Sequence, residues 1–246
     1  MKDMKWLLAL GLVFLVFSTG LYIAQIVIFH KAEETFFLLF QDLAFLPLHV
    51  LLVVIILEKL LKRFEHQSVM KKLNMIVGVF FIEVGTDLIR MFAEFDKTNT
   101  EAVKFLQIGD KWTEEDFANA RKQILNFDFQ VEVHRGYIGD LQVFFRHRRR
   151  IIMGLMENPN LLEHESFTDM FLAVQHLCEE LSMRKHLTKI SASDTKHLAG
   201  DMKRAYAALV VEWISYMRHL KKEYPYLYSL AVRTNPFNPD SKVEFS

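Results

Sequence analysis

The sequence predicts an all-α protein made of a two-helix transmembrane hairpin followed by a cytoplasmic helical bundle. Two apolar stretches, residues 6–29 and 36–57, lie near the N-terminus, and the second contains a single formal charge, Asp42. Each stretch is long enough to cross a hydrocarbon core of about 30 Å at about 1.5 Å per residue. The 246 residues include 9 glycines and 5 prolines, and so few chain breakers favour long helices over a turn-rich β fold.

The hairpin is expected to occupy residues 1–63, with spans at about 6–29 and 36–61, and the helical domain to occupy residues 64–246. A secretory signal is the alternative interpretation of the first stretch, but the apolar run is too long for a signal core and lacks a clean cleavage site. Basic residues flank the hairpin at both ends, whereas its tip at residues 30–35 contains a single lysine. This distribution predicts a multi-pass inner-membrane protein with its N-terminus and its C-terminal domain in the cytoplasm.

The composition argues against several classes of function. Lysine plus arginine number 30 and aspartate plus glutamate also number 30, and this balance argues against a nucleic-acid partner. Cys178 is the single cysteine, which precludes an internal disulfide and fits a reducing compartment. The sequence contains no phosphate-binding glycine loop, no G-x-S-x-G elbow and no H-E-x-x-H motif. We therefore expect no enzymatic activity of a known motif class, and no cofactor other than the metal ion considered below.

A long amphipathic helix is expected directly after the second span. Between residues 69 and 95 the apolar residues recur at the i, i+3, i+4, i+7 spacing of a helix, and Val79, Ile82 and Ile89 widen the stripe. A stripe of this width is buried on more than one side. Two interpretations remain open, because the stripe can form the core of its own domain or the seam of a homo-oligomer.

Capping signals divide the next part of the domain. Residues 96–112 are interpreted as a connection. Thr113 and Asp116 form a capping-box pattern that opens a helix extending to about residue 126. Residues 127–133 alternate in polarity as a strand would. Since a strand without a partner is implausible in a helical domain, a continued or frayed helix is expected there.

Three more helices complete the predicted domain. The first covers residues 137–156 and ends before Pro159, because a proline disfavours helical backbone in the residue that precedes it. The other two cover about residues 166–185 and 191–224, and each opens with a capping pattern. Pro225 is expected to stop the last helix, and a mostly extended tail is expected after it.

An intramembrane carboxylate is the first candidate site. Asp42 lies beside Gln41, and His49 follows seven positions later on the same helical face. Because ionisable groups inside a span usually face a cavity or a partner, these three residues predict an ion path lined by several copies of the chain. Pro47 can kink the span or end a short re-entrant piece. The alternative is that Asp42 lies close to the membrane surface, where it is hydrated or caps the helix.

Histidines and carboxylates of the helical domain form the second candidate site. Three pairs share a helical face and are candidate metal ligands: His176 with Glu179, His197 with Asp201, and Glu212 with His219. A metal ion between helices would require such faces to meet. The complete motif of a di-metal bundle is missing, and pairs at this spacing more often form salt bridges with neighbours such as Arg204.

A basic run inside the helix predicted at residues 137–156 is the third candidate site. Its members are Arg146, Arg148, Arg149 and Arg150. Such residues can contact anionic lipid headgroups, an attraction of about 1 kcal/mol for each residue near the surface. The alternative is a solvated helix face, the commoner situation of a charge run.

Several short strings resemble an uncharacterised family of prokaryotic two-span membrane proteins. They are DLAFLP at residues 42–47, ENPNLLEHE at 157–165, HLAGD at 197–201, YPYL at 224–227 and NPF at 235–237. The resemblance extends roughly over residues 36–238. It implies a two-span architecture and residence in the membrane, and it implies no activity.

Three hypotheses of function follow from these patterns. The first is a homo-oligomeric cation channel in which Asp42, Gln41 and His49 line the path and the helical domain gates or assembles it. The second is a membrane-anchored binding, scaffold or sensory module without transport. The third is a metal-dependent membrane enzyme built on the histidines and carboxylates of the helical domain.

Overall fold

A computed structural model describes residues 2–134, 137–184, 187, 190–238 and 241. All regular secondary structure in these residues is helical, and their extended backbone contributes an isolated antiparallel bridge between Asp96 and Val131. The predicted all-α class is therefore confirmed. The chain divides into two compact units, Met1–His66 and Gln67–Ser246.

The first unit contains helix α1 (Lys2–Phe29) and the beginning of helix α2 (Ala32–Phe80). His30, in the turn between the helices, has a φ of 55°, a left-handed conformation that reverses the chain. By length and composition, both helices are apolar enough to cross a membrane. Their apolar side chains are exposed, as Phe14 is at 63%, and such extensive apolar surface fits insertion into lipid.

Two polar features of the predicted spans have a defined place in the first unit. The hydroxyl of Tyr22 on α1 donates a long hydrogen bond to Oδ2 of Asp42 on α2, at 3.3 Å. Pro47 lies inside α2, and the helix continues through it. The alternative in which this proline ends a short re-entrant piece is therefore wrong.

The amphipathic stripe of the second unit contains a π-helical turn, Phe81–Gly85, between α2 and helix α3 (Thr86–Phe95). The carbonyl oxygen of Phe81 accepts hydrogen bonds from the backbone N–H of Thr86 and from its Oγ1, the latter at 2.8 Å. A Cβ at Gly85 would lie 2.6 Å from the Phe81 ring, so glycine permits this close approach. A π turn adds one residue to the helix without breaking it, and the apolar spacing gave no sign of it.

Most of the stripe is buried in the core of its own domain. The side chains of Leu73, Phe80 and Leu88 are 0% exposed. Val79 and Ile82, which were expected to widen the buried stripe, are instead 43% and 65% exposed. The interpretation as a domain core is therefore confirmed for the buried residues, and a seam between copies stays a prediction for the outward-facing ones.

Helix α4 (Asn99–Leu106) lies in the segment that was predicted to be a connection, and that prediction was wrong. The helix has 8 residues and buries Ala102 and Leu106. Two buried residues are too few to produce a recognisable helical period.

Helix α5 (Glu114–Leu125) begins at the predicted capping box. The hydroxyl of Thr113 accepts a hydrogen bond from the backbone N–H of Asp116 at 3.3 Å, and the Asp116 carboxylate accepts one from the Thr113 N–H at 2.6 Å. The box satisfies two backbone donors that have no partner inside the helix, so the predicted start is confirmed.

The helix predicted to continue over residues 127–133 is wrong, because the backbone there is not helical and Val131 forms the bridge with Asp96. Oδ1 of Asp96 accepts a hydrogen bond from the backbone N–H of Gln130 at 2.9 Å, and the Gln130 carbonyl accepts one from Lys97 at 2.9 Å. Phe129 is fully buried. The neighbouring loop supplies the backbone partners that a helix would have supplied, which the alternating polarity alone did not indicate.

Helix α6 (Ile138–Met156), helix α7 (Glu165–Met183) and helix α8 (Ala192–Glu223) correspond to the three predicted helices. The predicted cap of α7 is wrong, because His164 is the N-cap and its Nδ1 accepts from the Phe167 N–H at 3.2 Å. The cap of α8 is confirmed, because Ser191 accepts from the Asp194 N–H at 3.2 Å.

The segment after α8 is helical rather than extended. Helix α9 (Pro225–Arg233) begins with the proline that was expected to end regular structure. Proline suits the first helical position, where its missing N–H would have had no helical partner. Beyond α9, the side chain of Asn235 is buried and donates to the Leu106 carbonyl at 2.8 Å.

Helix α8 is central to the second unit, where it contacts α3, α5, α7 and α9. Phe80 contributes to the same core, with its ring centroid 5.6 Å from those of both Phe167 and Phe171 on α7. These contacts orient α7 in the core, and the stacked rings of Phe81 and Tyr216, with centroids 4.8 Å apart, join the same part of the chain to α8. The candidate site lies where polar residues occur in the contact between α7 and α8.

Candidate metal centre

Two histidine–carboxylate pairs face each other across the contact between α7 and α8. His176 and Glu180 are separated by four residues on α7, and His197 and Asp201 by four residues on α8. Side chains four residues apart lie on the same face of a helix. Because the two helices pack together, ligand atoms of His176, Glu180 and Asp201 come within 4.8 Å of one another. His197 lies beside both carboxylates.

The ligand atoms are spaced as ligands around a common ion would be. Oδ2 of Asp201 lies 3.6 Å from Nε2 of His176 and 3.2 Å from Nε2 of His197. Glu180 lies 3.9 Å from His176 and 3.5 Å from His197, measured between nearest carboxylate oxygen and Nε2. Two ligands bound at about 2.0–2.2 Å to a tetrahedral ion lie roughly 3.3–3.6 Å apart. Two of the four observed separations fall in this range and the other two, 3.2 Å and 3.9 Å, lie within about 0.3 Å of it, so they are close to those around a common ion.

Asp201 is buried and Glu180 partly buried, and each has one buried oxygen without a hydrogen-bond partner among the described residues. The side chains of Asp201 and Glu180 are 3% and 16% exposed, and the unpartnered atoms are Oδ2 and Oε2. Buried polar atoms are usually paired. An unpaired oxygen in each carboxylate, both close to imidazole nitrogens, indicates an acceptor pair suited to a cation.

Two arginines hold the other oxygen of each carboxylate. Nη2 of Arg184 donates to Oε1 of Glu180 at 2.6 Å, and Arg204 donates to Oδ1 of Asp201. Partners of this kind orient the ligands of a metal and are an integral part of metal sites. The second oxygen of Asp201 then faces both histidines, and the second oxygen of Glu180 faces His176.

The charges around the site leave an excess of negative charge. Glu180, Asp201 and nearby Asp194 are three carboxylates, and Arg184 and Arg204 are two guanidiniums. Hydrogen bonds from Arg184 hold the pKa of Asp194 below its ordinary value, so this carboxylate is ionised at neutral pH. With neutral histidines the cluster therefore carries one net negative charge, and a divalent cation would reverse its sign.

The residue types fit a first-row transition metal better than magnesium or calcium. Imidazole nitrogens suit zinc, iron, nickel and copper, whereas magnesium and calcium prefer all-oxygen sites. Two imidazoles and two carboxylates can complete a four-coordinate zinc site. Both histidine side chains are 59% exposed, so an ion has access from solvent.

Comparison with known proteins places the chain in a family. Residues 69–233 match a family model described as "Uncharacterized protein MJ1433, C-terminal helical domain". The chain belongs to the MJ1433 family. Residues 2–61 match the companion model, "MJ1433, N-terminal helical domain". The helical domains of the MJ1433 family agree with the resemblance seen in the sequence, whereas its short strings and its two-span description stay predictions.

The similarity to the family extends over nearly the whole chain. The protein described as "Uncharacterized protein MJ1433" from Methanocaldococcus jannaschii is 37% identical to this chain over 243 residues. The match covers 99% of this chain and 98% of that relative. No solved structure matches this chain significantly.

The structure brings together part of the metal set predicted from the MJ1433-family sequence. His176, His197 and Asp201 converge, but Glu212 and His219 lie about 16 Å and 27 Å further along α8 at about 1.5 Å per residue. Glu180 was not among the predicted ligands, because the prediction paired His176 with Glu179, the residue before Glu180. Glu179 instead accepts a hydrogen bond from Arg149 at 2.9 Å. The i, i+4 spacing places Glu180 on the same helical face as His176, but the i, i+3 spacing does the same for Glu179, so spacing alone left both acids open.

The other predicted candidate residues lie apart from the metal centre. Arg148 and Arg149 of the basic run are paired with Glu83 and Glu179 at 3.1 Å and 2.9 Å. Arg146 and Arg150 are exposed on α6, and lipid contact stays a prediction for them. The three residues of the predicted ion path, Asp42, Gln41 and His49, lie exposed on α2 in the first unit.

His219 has a distinct environment on α8. Its Nε2 is buried without a hydrogen-bond partner among the described residues, and its ring centroid lies 5.8 Å from that of Tyr224. Burial lowers the pKa of His219 below the ordinary value of 6.5. The folded domain therefore holds this imidazole neutral where the unfolded chain would already protonate it.

Acid should destabilise the fold in part through His219. Since its pKa is lower in the folded state, its stabilising contribution is complete above about pH 6.5 and is lost as the pH falls through the folded value. We expect thermal melts between pH 7 and pH 5 to show a smaller loss of stability for His219→Gln than for the wild type. The difference is at most about 1.4 kcal/mol per pH unit for one proton. Exposed His147 provides the control, and an equal effect of His147→Gln would contradict this role for His219.

Proposed function

We propose that this MJ1433-family chain is a membrane-anchored protein whose helical domain binds one divalent transition-metal ion between α7 and α8. The ligands are His176, Glu180, His197 and Asp201. The proposal is carried by one observation: two imidazole nitrogens lie beside Oδ2 of Asp201, and one of them also faces Oε2 of Glu180, and both of these buried oxygens lack hydrogen bonds. A cation at that point is the simplest partner for all four groups.

Simple histidine–carboxylate ion pairs account for the site less well. Leaving a buried acceptor without a hydrogen bond costs about 1–3 kcal/mol, and Oδ2 of Asp201 and Oε2 of Glu180 are both in that state. An N–H on His197 could pair with Oδ2 of Asp201 at 3.2 Å. Nε2 of His176 lies 3.9 Å from Oε2 of Glu180, which is too long for a hydrogen bond, so that oxygen would stay without a partner. A bound metal ion compensates both oxygens at once.

Membrane anchoring is supported by the length and apolar composition of the first two helices. The proposed orientation, with the N-terminus and the metal-binding domain in the cytoplasm, follows from the basic residues at both ends of the hairpin. In this arrangement the hairpin holds the domain at the inner membrane. This combines the anchored-module hypothesis with the metal-dependent one.

Ion conduction, the first of the hypotheses from the sequence, has weaker support. It depends on Asp42, and the hydroxyl of Tyr22 already offers that carboxylate a hydrogen bond between the two helices of the hairpin. A polar pair of this kind can hold two apolar helices in register. We therefore place the principal function in the helical domain.

Direct titration of metal tests the proposal. The full-length protein, purified in detergent and stripped with a chelator, should bind one zinc ion per chain in isothermal titration calorimetry and in elemental analysis. Glu180→Gln removes a ligand oxygen and its charge, and we expect it to weaken zinc binding by at least about 100-fold, beyond the typical loss for an outer-shell residue.

Glu179→Gln is the matched control, because Glu179 is the neighbouring acid on α7 and its contact is with Arg149. The control variant should bind zinc as the wild type does. Sub-stoichiometric metal after loading, or an equal loss of affinity in both variants, would refute the assignment of these ligands.

A further inference from the structure

A cleft of about 260 Å³ opens directly beside the metal centre. It is lined by Asp169, Leu172, Ala173, His176, Asp201 and Arg204. His176 and Asp201 belong to the proposed metal ligands, so a molecule in the cleft would lie next to the ion. The volume is slightly below the range of about 300–1,000 Å³ that is typical of drug-sized ligands, and the cleft therefore suits a small molecule.

Arg204 supplies positive charge at this cleft. Its side chain is 67% exposed although it donates to Asp201, so part of its guanidinium remains accessible from solvent. A guanidinium has five N–H donors in a planar fork that matches the geometry of a carboxylate. An anion in the cleft can therefore contact the metal and Arg204 together.

The other lining residues restrict which anion fits. Leu172, which is 45% exposed, and Ala173 provide an apolar wall that would cover a short hydrocarbon chain. Asp169 adds a carboxylate to the same cleft, and its charge disfavours a ligand with a second negative group. These features favour a monocarboxylate over a dicarboxylate or a phosphate dianion.

We infer that the metal centre binds a short-chain monocarboxylate, whose carboxylate lies between the ion and Arg204 and whose apolar end lies against Leu172 and Ala173. The inference rests on the proposed metal binding. A site with four protein ligands can accept a fifth, because zinc-type ions expand from four to five ligands. The exposed edges of His176 and His197 leave room on the solvent side.

Cobalt(II) is the probe that tests metal binding and carboxylate binding separately. The full-length protein loaded with cobalt(II) should show visible absorption bands from the ion in its protein site. Titration with butyrate should change these bands, and butyrate should bind at least about threefold more tightly than acetate because of its two additional methylene groups. Phosphate and succinate should bind more weakly than butyrate.

Arg204→Gln should weaken butyrate binding by about 10-fold or more, with cobalt affinity measured in the same titration. Lys203→Gln is the matched control, because Lys203 is adjacent on α8 and pairs with Asp128 instead. Absence of cobalt bands would overturn the metal site itself. Bands that no carboxylate alters, or that phosphate alters as readily as butyrate, would overturn the carboxylate inference alone.

Discussion

Replacing Phe80 with alanine should lower the free energy of unfolding by about 3–5 kcal/mol, the usual cost of removing a buried aromatic ring. Phe80 is 0% exposed. Its ring lies 5.3 Å from that of Phe81 and 5.6 Å from those of Phe167 and Phe171. The ring therefore joins the end of α2 to α7, one of the two helices of the metal centre. Surrounding rings on several sides leave little room for the core to collapse into the cavity.

Thermal unfolding of the full-length protein in detergent, followed by tryptophan fluorescence, measures this effect. At about 2–4 °C for each kcal/mol in a domain of this size, the melting temperature should fall by roughly 6–20 °C. Tyr226→Ala is the control, because this aromatic side chain is 72% exposed in the same unit. A melting temperature of Phe80→Ala that matches the control would contradict the packing described here.

Arg184→Met should destabilise the metal-free protein by about 3 kcal/mol, because it leaves two partly buried carboxylates without their counter-ion. Arg184 is 19% exposed and holds Glu180 and Asp194, which are 16% and 32% exposed. Methionine preserves much of the side-chain volume. The expected loss is therefore mainly electrostatic.

Zinc should recover most of the stability that Arg184→Met removes, since a divalent ion would neutralise Glu180 in place of the guanidinium. A ligand at 100 times its Kd adds about 2.7 kcal/mol to the stability of a protein that binds it only when folded. Thermal melts with chelator and with excess zinc compare the two states. Arg149→Met is the control, because its more exposed pair with Glu179 is worth at most about 1 kcal/mol. A deficit of Arg184→Met that zinc leaves unchanged would contradict a metal ion beside Glu180.

The helices of the second unit were largely predictable from local pattern. Thr113 and Ser191 predicted the starts of α5 and α8, because an N-cap is a hydrogen bond between residues two or three positions apart. The non-helical segment around Phe129 and helix α4 were not predictable in this way. Their hydrogen bonds and buried faces depend on neighbours that are distant in sequence, such as Gln130 with Asp96.

The metal centre shows the same division. The spacing of His197 and Asp201 placed both on one face of a helix, because side chains four positions apart lie close together in every α-helix. The choice between Glu179 and Glu180 as a partner of His176 could not be made from spacing alone. Adjacent residues point about 100° apart, and the packing of α7 against α8 decides which of the two acids faces the histidines.

The all-α class, most of the helices and the apolar N-terminal stretches depend on residues that are near neighbours in the chain, so the residue pattern alone predicts them. The approach of His176 and Glu180 on α7 to Asp201 on α8 follows from the aromatic core that sets the rotation of α7 against α8. That rotation depends on contacts between residues far apart in sequence, such as Phe80 with Phe171 on α7 and Phe81 with Tyr216 on α8, and local sequence patterns do not predict it.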